Sequence, residues 1–301
     1  MGSKRKLAKQ ILSILRNRHS DAVNLYDLFG GGGAISFNAL GLFKEVYYNE
    51  IETSMVELIS EIQTNGFNPE WWQPVTREMF VENLELTTPT ASVIKTCWSF
   101  GNNKRTYLYG KDIEELKLSA HDFIVNNTEV KRLRFNQLTG LDLPLFDDNL
   151  SLYDRRILIR KTVKGRSDLE RLQNLQSLQR LESLQRLESL QSLQLTNLSY
   201  EEVTIKPDSV VYCDIPYRGT VTYEGGDGFD YDKFYNWALT QDSPIYISEY
   251  KMPNEFIEVN AFPHRSTLSA TNNSKKTIEK IFWNGKGKYF ETTLFHVPVN
   301  G

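Results

Sequence analysis

The residues best placed for chemistry are Asp214-Ile215-Pro216-Tyr217. They follow an apolar run, Ser209-Val210-Val211-Tyr212-Cys213, that predicts a buried strand. Proline fixes φ and removes a backbone donor, so a turn built on Pro216 presents carbonyls. An acid and a carbonyl can accept the two N–H bonds of an exocyclic amine, and an aromatic can stack on its ring. Such an amine is a poor nucleophile because its lone pair is delocalised into the ring. Two acceptors make the nitrogen more sp³-like. The same four residues also fit a strand-ending turn around a buried tyrosine.

A second constellation lies near the start. Asp27-Leu28-Phe29-Gly30-Gly31-Gly32-Gly33 leaves a predicted strand and enters a predicted helix near Ala34. Glycines let backbone pass close to a ligand, and a helix N-terminus points amides at an anion. Glu50 ends the next predicted strand, about 20 residues after the loop, where a doubly wound fold places an acid on a ribose diol. Loop and acid together point to an adenosine-containing cofactor. No Gly-Lys-Ser/Thr follows, which disfavours a phosphate-binding P-loop. Nicotinamide and flavin cofactors stay open on these residues alone.

The elements that must hold these groups follow from periodicity. Residues 5–16 predict an amphipathic helix, 23–28 and 46–48 predict strands, and 53–63 another helix. After residue 200 the alternation returns, with strand 209–213, a helix near 230–240, and strands near 244–248, 278–283 and 289–296. The fold class expected is α/β: a doubly wound, Rossmann-like core from residues 1–65 and 200–301, with 66–199 inserted as a mainly helical region. Inside the insert, a leucine recurs every third residue from Leu169 to Leu193, in near-copies of Leu-Gln-Arg-Leu-Glu-Ser within a leucine-rich segment, 169–195. On a continuous α-helix such leucines spiral, each about 60° off the last. The segment predicts a mostly helical, repeat-expanded connector.

Bulk composition narrows the classes. The chain has 301 residues, 40% hydrophobic, with a formal net charge of −3, so a nucleic-acid surface has to be local. Two cysteines, Cys97 and Cys213, form neither a metal-ligand spacing nor a disulfide framework. Four scattered histidines show no triad or ligand pattern, and no metal site is expected. No run approaches the roughly 18 apolar residues of a membrane span. A cytoplasmic protein without membrane contact is expected.

Taken together, the motifs resemble the Dam-like (D12 class) family of DNA adenine-N6 methyltransferases, over most of the chain. Gly2-Ser3-Lys4 looks like that family's N-terminal Gly-Gly/Ser-Lys element. Asp27 to Phe37 matches its S-adenosylmethionine motif, and Glu50 its ribose-binding acid. Asp214 to Tyr217 matches its Asp-Pro-Pro-Tyr catalytic motif, with Ile215 in place of the first proline. Ile247-Ser248-Glu249-Tyr250 is similar to its Ile-Ser-Asn strand end, with Glu249 a departure. Near Tyr200 the family carries an acid that touches the cofactor adenine, whereas this chain has Ser199-Tyr200.

The resemblance implies S-adenosylmethionine as cofactor, held by Lys4, Asp27, Phe29, Gly30, Gly31, Gly32, Glu50 and Asp214. It implies a target adenine gripped by Asp214 and the carbonyl of Ile215, in the turn fixed by Pro216, and stacked on Tyr217. It also implies double-stranded DNA as partner, with no obligatory protein partner. The segment from Trp98 to Gly110 resembles the family's Arg-Tyr-Asn…Gly element, which places Asn102, Asn103, Lys104, Arg105 and Tyr107 at the DNA; Asn and Arg suit base edges. Lys131, Arg132 and Arg134 form a basic cluster. Residues 151–166 hold six basic residues and one acid, a charge that suits a phosphate backbone. A cytosine-N4 methyltransferase is the rival enzyme, although Ser more often precedes Pro-Pro-Tyr there. A catalytically silent DNA-binding homologue is the other rival.

Overall fold

The computed structural model describes residues 4–189, 193–218, 228–265 and 276–287. Gly2, Ser3, the 190–192 part of the leucine repeat, His296 and the strand expected near 289–296 lie outside these residues. The chain forms two compact units, Met1–Val56 with Leu190–Gly301, and Glu57–Ser189.

The helices, in chain order, are α1 (Ala8–Arg18), α2 (Ser36–Ala39), α3 (Thr53–Asn65), α4 (Arg77–Glu82), α5 (Pro89–Cys97), α6 (Glu114–Asn126), α7 (Glu129–Thr139), α8 (Leu152–Thr162), α9 (Gln176–Gln185) and α10 (Tyr231–Thr240). The strands are β1 (Asn24–Asp27), β2 (Glu45–Asn49), β3 (Leu193–Thr196), β4 (Ser209–Cys213), β5 (Ile245–Glu249), β6 (Ile257–Arg265) and β7 (Lys276–Trp283).

Among the described residues, the first unit is built on a seven-stranded sheet of order β3-β2-β1-β4-β5-β7-β6. Strands β1 to β5 run parallel, and β7 is antiparallel to both neighbours. Every residue of β1, β4 and β5 is buried, as expected of strands covered on both faces. The strand order reverses at β1 and β4, which pair with Asp27 opposite Tyr212. A crevice at such a switch point, beyond the carboxyl ends of the strands, is where open α/β sheets bind ligands. The glycine loop leaves β1 there, and Asp214 follows β4 there.

Two strands depart from the sequence expectation. Strand β3 begins in the leucine-rich segment assigned to the insert, but its residues pair with β2 from Val46 to Asn49. Strand β6 carries Pro263 and forms the sheet edge, the place where a strand tolerates proline. The helix expected near Ala34 is one short element, α2.

The second unit is helical; its described residues contain no β-strand beyond the isolated Ser99–Tyr107 bridge. The leucine repeat is not one spiralling helix. It passes through a 3-10 turn at Glu170–Gln173, then α9, then a second 3-10 turn at Arg186–Ser189. Leu169, Leu172, Leu175, Leu178, Leu181, Leu184 and Leu187 are all buried. A 3-10 turn has about three residues per turn, so leucines at this spacing stay on one side of it. Within α9 only Leu178, Leu181 and Leu184 are involved, an arc of roughly 120° that one apolar face accommodates.

Candidate active site

Strand β1 ends at Asp27, whose Oδ2 accepts from the Ser36 backbone N–H at 3.1 Å and its hydroxyl at 2.6 Å. Burial pushes the Asp27 carboxyl up to about 7, with the Ser36 hydrogen bond opposing. Between these residues runs the glycine loop. At Gly30 a Cβ would overlap the Tyr48 ring, and at Gly33, where φ is +69°, it would overlap Phe37. A Cβ at Gly32 would meet nothing within 4 Å. The loop therefore presses its outer glycines against aromatic rings and leaves its middle open.

Strand β2 delivers Tyr48, Asn49 and Glu50 to the same loop. The Tyr48 hydroxyl donates to the Gly31 carbonyl at 2.7 Å. The Gly31 N–H donates to Glu50 Oε2 at 2.7 Å, and the Glu52 N–H to Glu50 Oε1 at 3.0 Å. Each carboxylate oxygen keeps acceptor capacity, so Glu50 can still receive the hydroxyls of a diol. Sequence reasoning missed Asn49. Its amide donates to the Leu28 and Leu198 carbonyls and its oxygen accepts from Thr196 and from the Leu198 N–H, all between 2.8 and 3.1 Å. It ties the ends of three strands together, yet a lone Asn at a strand end carries no sequence signal.

Tyr200 stands at the position discussed above for the adenine-contacting acid. Its ring stacks on Phe29 at 5.7 Å and meets Trp237 at 4.9 Å. This aromatic wall adjoins the glycine loop.

Beyond β4, Asp214 Oδ1 lies 2.8 Å from the Lys4 ammonium. The same ammonium is 2.7 Å from Glu279 Oε1 and donates to the Tyr217 hydroxyl. Tyr217 donates in turn to Glu279 at 3.0 Å. Burial raises the proton affinity of Asp214, and Lys4 opposes that rise. The Tyr217 ring is 4.7 Å from that of Tyr250, and its hydroxyl is pushed far above the ordinary range by burial. The Ile215 side chain is buried in the core cluster with Leu28, Phe234 and Ile247, which leaves its backbone for any role in the site. Burial also holds the Cys213 thiol well above its usual range, so no thiolate is at hand. Glu249 closes the turn: its carboxylate accepts from the Arg218 N–H at 3.1 Å and the Tyr250 N–H at 2.6 Å.

A model of the D12 class N6 adenine-specific DNA methyltransferase family matches residues 1–237. The chain belongs to that family. It is an enzyme of adenine-N6 DNA methylation, and methyltransferases of this kind use S-adenosylmethionine. No curated protein matches the chain. The matched residues include Lys4, the glycine loop, Glu50 and Asp214 to Tyr217; Glu249 and Glu279 lie beyond them. No helix among the described residues is long and apolar enough to cross a membrane.

The residues expected at DNA lie in the second unit. Asn103 folds its own turn, its oxygen accepting from the Arg105 and Thr106 N–H groups at 3.0 and 2.9 Å. The Asn102 side chain lies outside the described set. Lys104 has φ +58° in the same turn, and Arg105 is exposed. Tyr107 is buried, and its hydroxyl donates to the Val75 carbonyl at 2.6 Å. Lys131 pairs with Asp122 at 2.6 Å, Arg132 with Glu129 and Arg134 with Glu115. In the 151–166 stretch, Arg156 is buried in a two-point pair with Glu182 at 2.7 and 2.8 Å, and Arg166 pairs with Asp168. Arg160, Lys161 and Lys164 remain exposed. Local carboxylates thus offset part of the positive field that the sequence suggested.

Proposed function

We propose that the protein is a site-specific methyltransferase that moves a methyl group from S-adenosylmethionine to N6 of adenine in double-stranded DNA, with Asp214 as the amine acceptor. One observation carries this assignment: the glycine loop, bonded to Glu50 from the end of β2, and the Asp214 turn sit at the carboxyl ends of adjacent strands β1 and β4 at the switch point of the sheet.

The bound cofactor supplies an electrophilic methyl on a sulfonium. The open middle of the glycine loop and the Glu50 carboxylate fit its amino-acid and ribose parts, and the Phe29–Tyr200 wall offers an aromatic surface for its adenine. Asp214 and the Ile215 carbonyl accept the N6 hydrogens of a base flipped from the duplex. They localise the lone pair and hold it for in-line attack. Asp214 is also the group assigned to accept the proton that N6 gives up after transfer. The Tyr217–Tyr250 pair supplies aromatic surface for the base, and Tyr250 is the more exposed member at 36%. Asn103, Lys104, Arg105 and the basic residues of α7 and α8 are assigned to DNA contact, and 57–189 to target recognition.

The test is transfer of labelled methyl to DNA, with nucleosides identified by mass spectrometry. The expected product is N6-methyladenine, lost in Asp214→Ala while the fold remains. Formation of N4-methylcytosine, or substantial activity in purified Asp214→Ala, would overturn the assignment. Single-molecule sequencing of DNA from an expressing host reads the target site.

A further inference from the structure

Strand β7 reverses the usual pattern of a half-buried strand. Ile278 is 49% exposed, whereas its neighbour Glu279 is only 9% exposed. Burying a carboxylate is costly unless it is paired and hydrogen-bonded. Glu279 is both: the Lys4 ammonium lies 2.7 Å from its Oε1, and the Tyr217 hydroxyl donates to that oxygen at 3.0 Å. Both partners touch the catalytic turn, Lys4 through Asp214 and Tyr217 through the chain itself. With Asp214, the cluster of two carboxylates and one ammonium has a formal charge of −1. That sign suits a cationic methyl donor and the positive charge that builds on the attacked amine.

We propose that Glu279 is a positioning residue for methyl transfer, holding Lys4 against Asp214 and fixing the Tyr217 hydroxyl, so that the carboxylate gripping the amine keeps its place. This rests on the assignment of Asp214 as amine acceptor. Glu279 touches neither base nor methyl group; it acts through Lys4 and Tyr217. Without it, Lys4 has one carboxylate partner instead of two, and Tyr217 loses the acceptor that β7 supplies. The ionisable groups acting on Asp214 come from the N-terminal turn (Lys4), β1 (Asp27), β4 and its turn (Tyr212, Cys213, Tyr217), β5 (Glu249) and β7 (Glu279).

The experiment compares full-length wild type, Glu279→Gln, Glu279→Ala and Tyr217→Phe in steady-state transfer of labelled methyl to long unmodified duplex DNA across pH. Glu279→Ala is expected to lower kcat tenfold or more, with KM for DNA within about threefold of wild type. Glu279→Gln, of the same shape and still able to accept from Tyr217, recovers part of that loss. Its acidic limb of the kcat profile moves to lower pH, because the carboxylate that raises the proton affinity of Asp214 is gone. Glu279→Gln and Tyr217→Phe combined lose less than the product of their separate effects, as coupled neighbours do. The proposal is overturned if kcat of both Glu279 variants stays within twofold of wild type. It is equally overturned if the Gln variant leaves the acidic limb unmoved and its loss multiplies independently with that of Tyr217→Phe. If Glu279→Ala fails to fold, Glu279→Gln decides. Absence of methyl transfer by the wild type would instead strike the Asp214 assignment.

Discussion

Glu249 shows how much of this site depends on single buried carboxylates. It replaces an amide in a recognisable strand-end motif, and both its oxygens accept backbone N–H groups, of Arg218 and Tyr250. Glu249→Ala strands two donors and is expected to cost about 1–3 kcal/mol of stability, with a fall in kcat; denaturant melts with parallel activity assays check both. Asp27 gives a pH signature. Its folded-state value, about 7, lies above its ordinary 3.8, so the unfolded state releases the proton first. Its contribution to stability is full below about pH 4 and is lost as pH rises to about 7. Asp27→Asn is expected to flatten that slope, seen as a wild-type-minus-variant stability difference that changes across pH 4–7. The motif carboxylates Asp27, Glu50 and Asp214 could be read from sequence because each ends a strand beside a turn. Glu279 and Asn49 could not, because their partners are tertiary: Lys4 and Tyr217, which Glu279 joins, are 213 residues apart.

Among the elements, the buried parallel strands were the most legible. Strands β1, β2, β4 and β5 are compact apolar runs, and the structure places them within two residues of expectation. Edge strands obey weaker rules: β6 carries proline, and β3 is disguised by the leucine period. Up to Ser189 the repeat is mostly helical, as expected, and only its end enters β3. The repeat copies are also not interchangeable. In one copy Arg180 donates to the carbonyls of Thr96, Cys97 and Ser99, and Glu182 pairs with Arg156. Inserting one more Leu-Gln-Arg-Leu-Glu-Ser after Ser183 turns the following part of α9 by roughly 240°. Calorimetry is expected to show a lower melting temperature for the insertion variant, in contrast to the neutral effect expected of a simple spacer. Glu182→Ala leaves a buried guanidinium without its carboxylate and is expected to cost about 3–5 kcal/mol, measurable by urea unfolding.

Across the whole molecule, fully buried groups of the two units carry opposite pH signatures. The first unit buries Asp27, Asp214 and Glu249, whose proton affinities burial raises. In the second unit His121 is fully buried between the Trp72 carbonyl and Ser177, and burial lowers it from 6.5 to about 4. A depressed histidine contributes stability above its unfolded value, and that stability is lost as pH falls from about 6.5 to about 4, roughly 3 kcal/mol in all. Hydrogen exchange followed across this range is expected to show protection of α6 falling, and His121→Gln is expected to remove the dependence. The sequence flagged none of this, because a histidine's burial is a property of its surroundings.

The chain leaves the first unit along α3 and re-enters it at β3, and both crossings are stapled beside Glu50. Asn197 donates to the Glu50 and Ile51 carbonyls at 2.6 and 3.1 Å, and Thr53 donates to Asn197 at 2.9 Å. The Asn197 bonds fix the backbone that carries the carboxylate assigned to the cofactor ribose. Asn197→Ala is expected to weaken S-adenosylmethionine binding, measured by calorimetric titration.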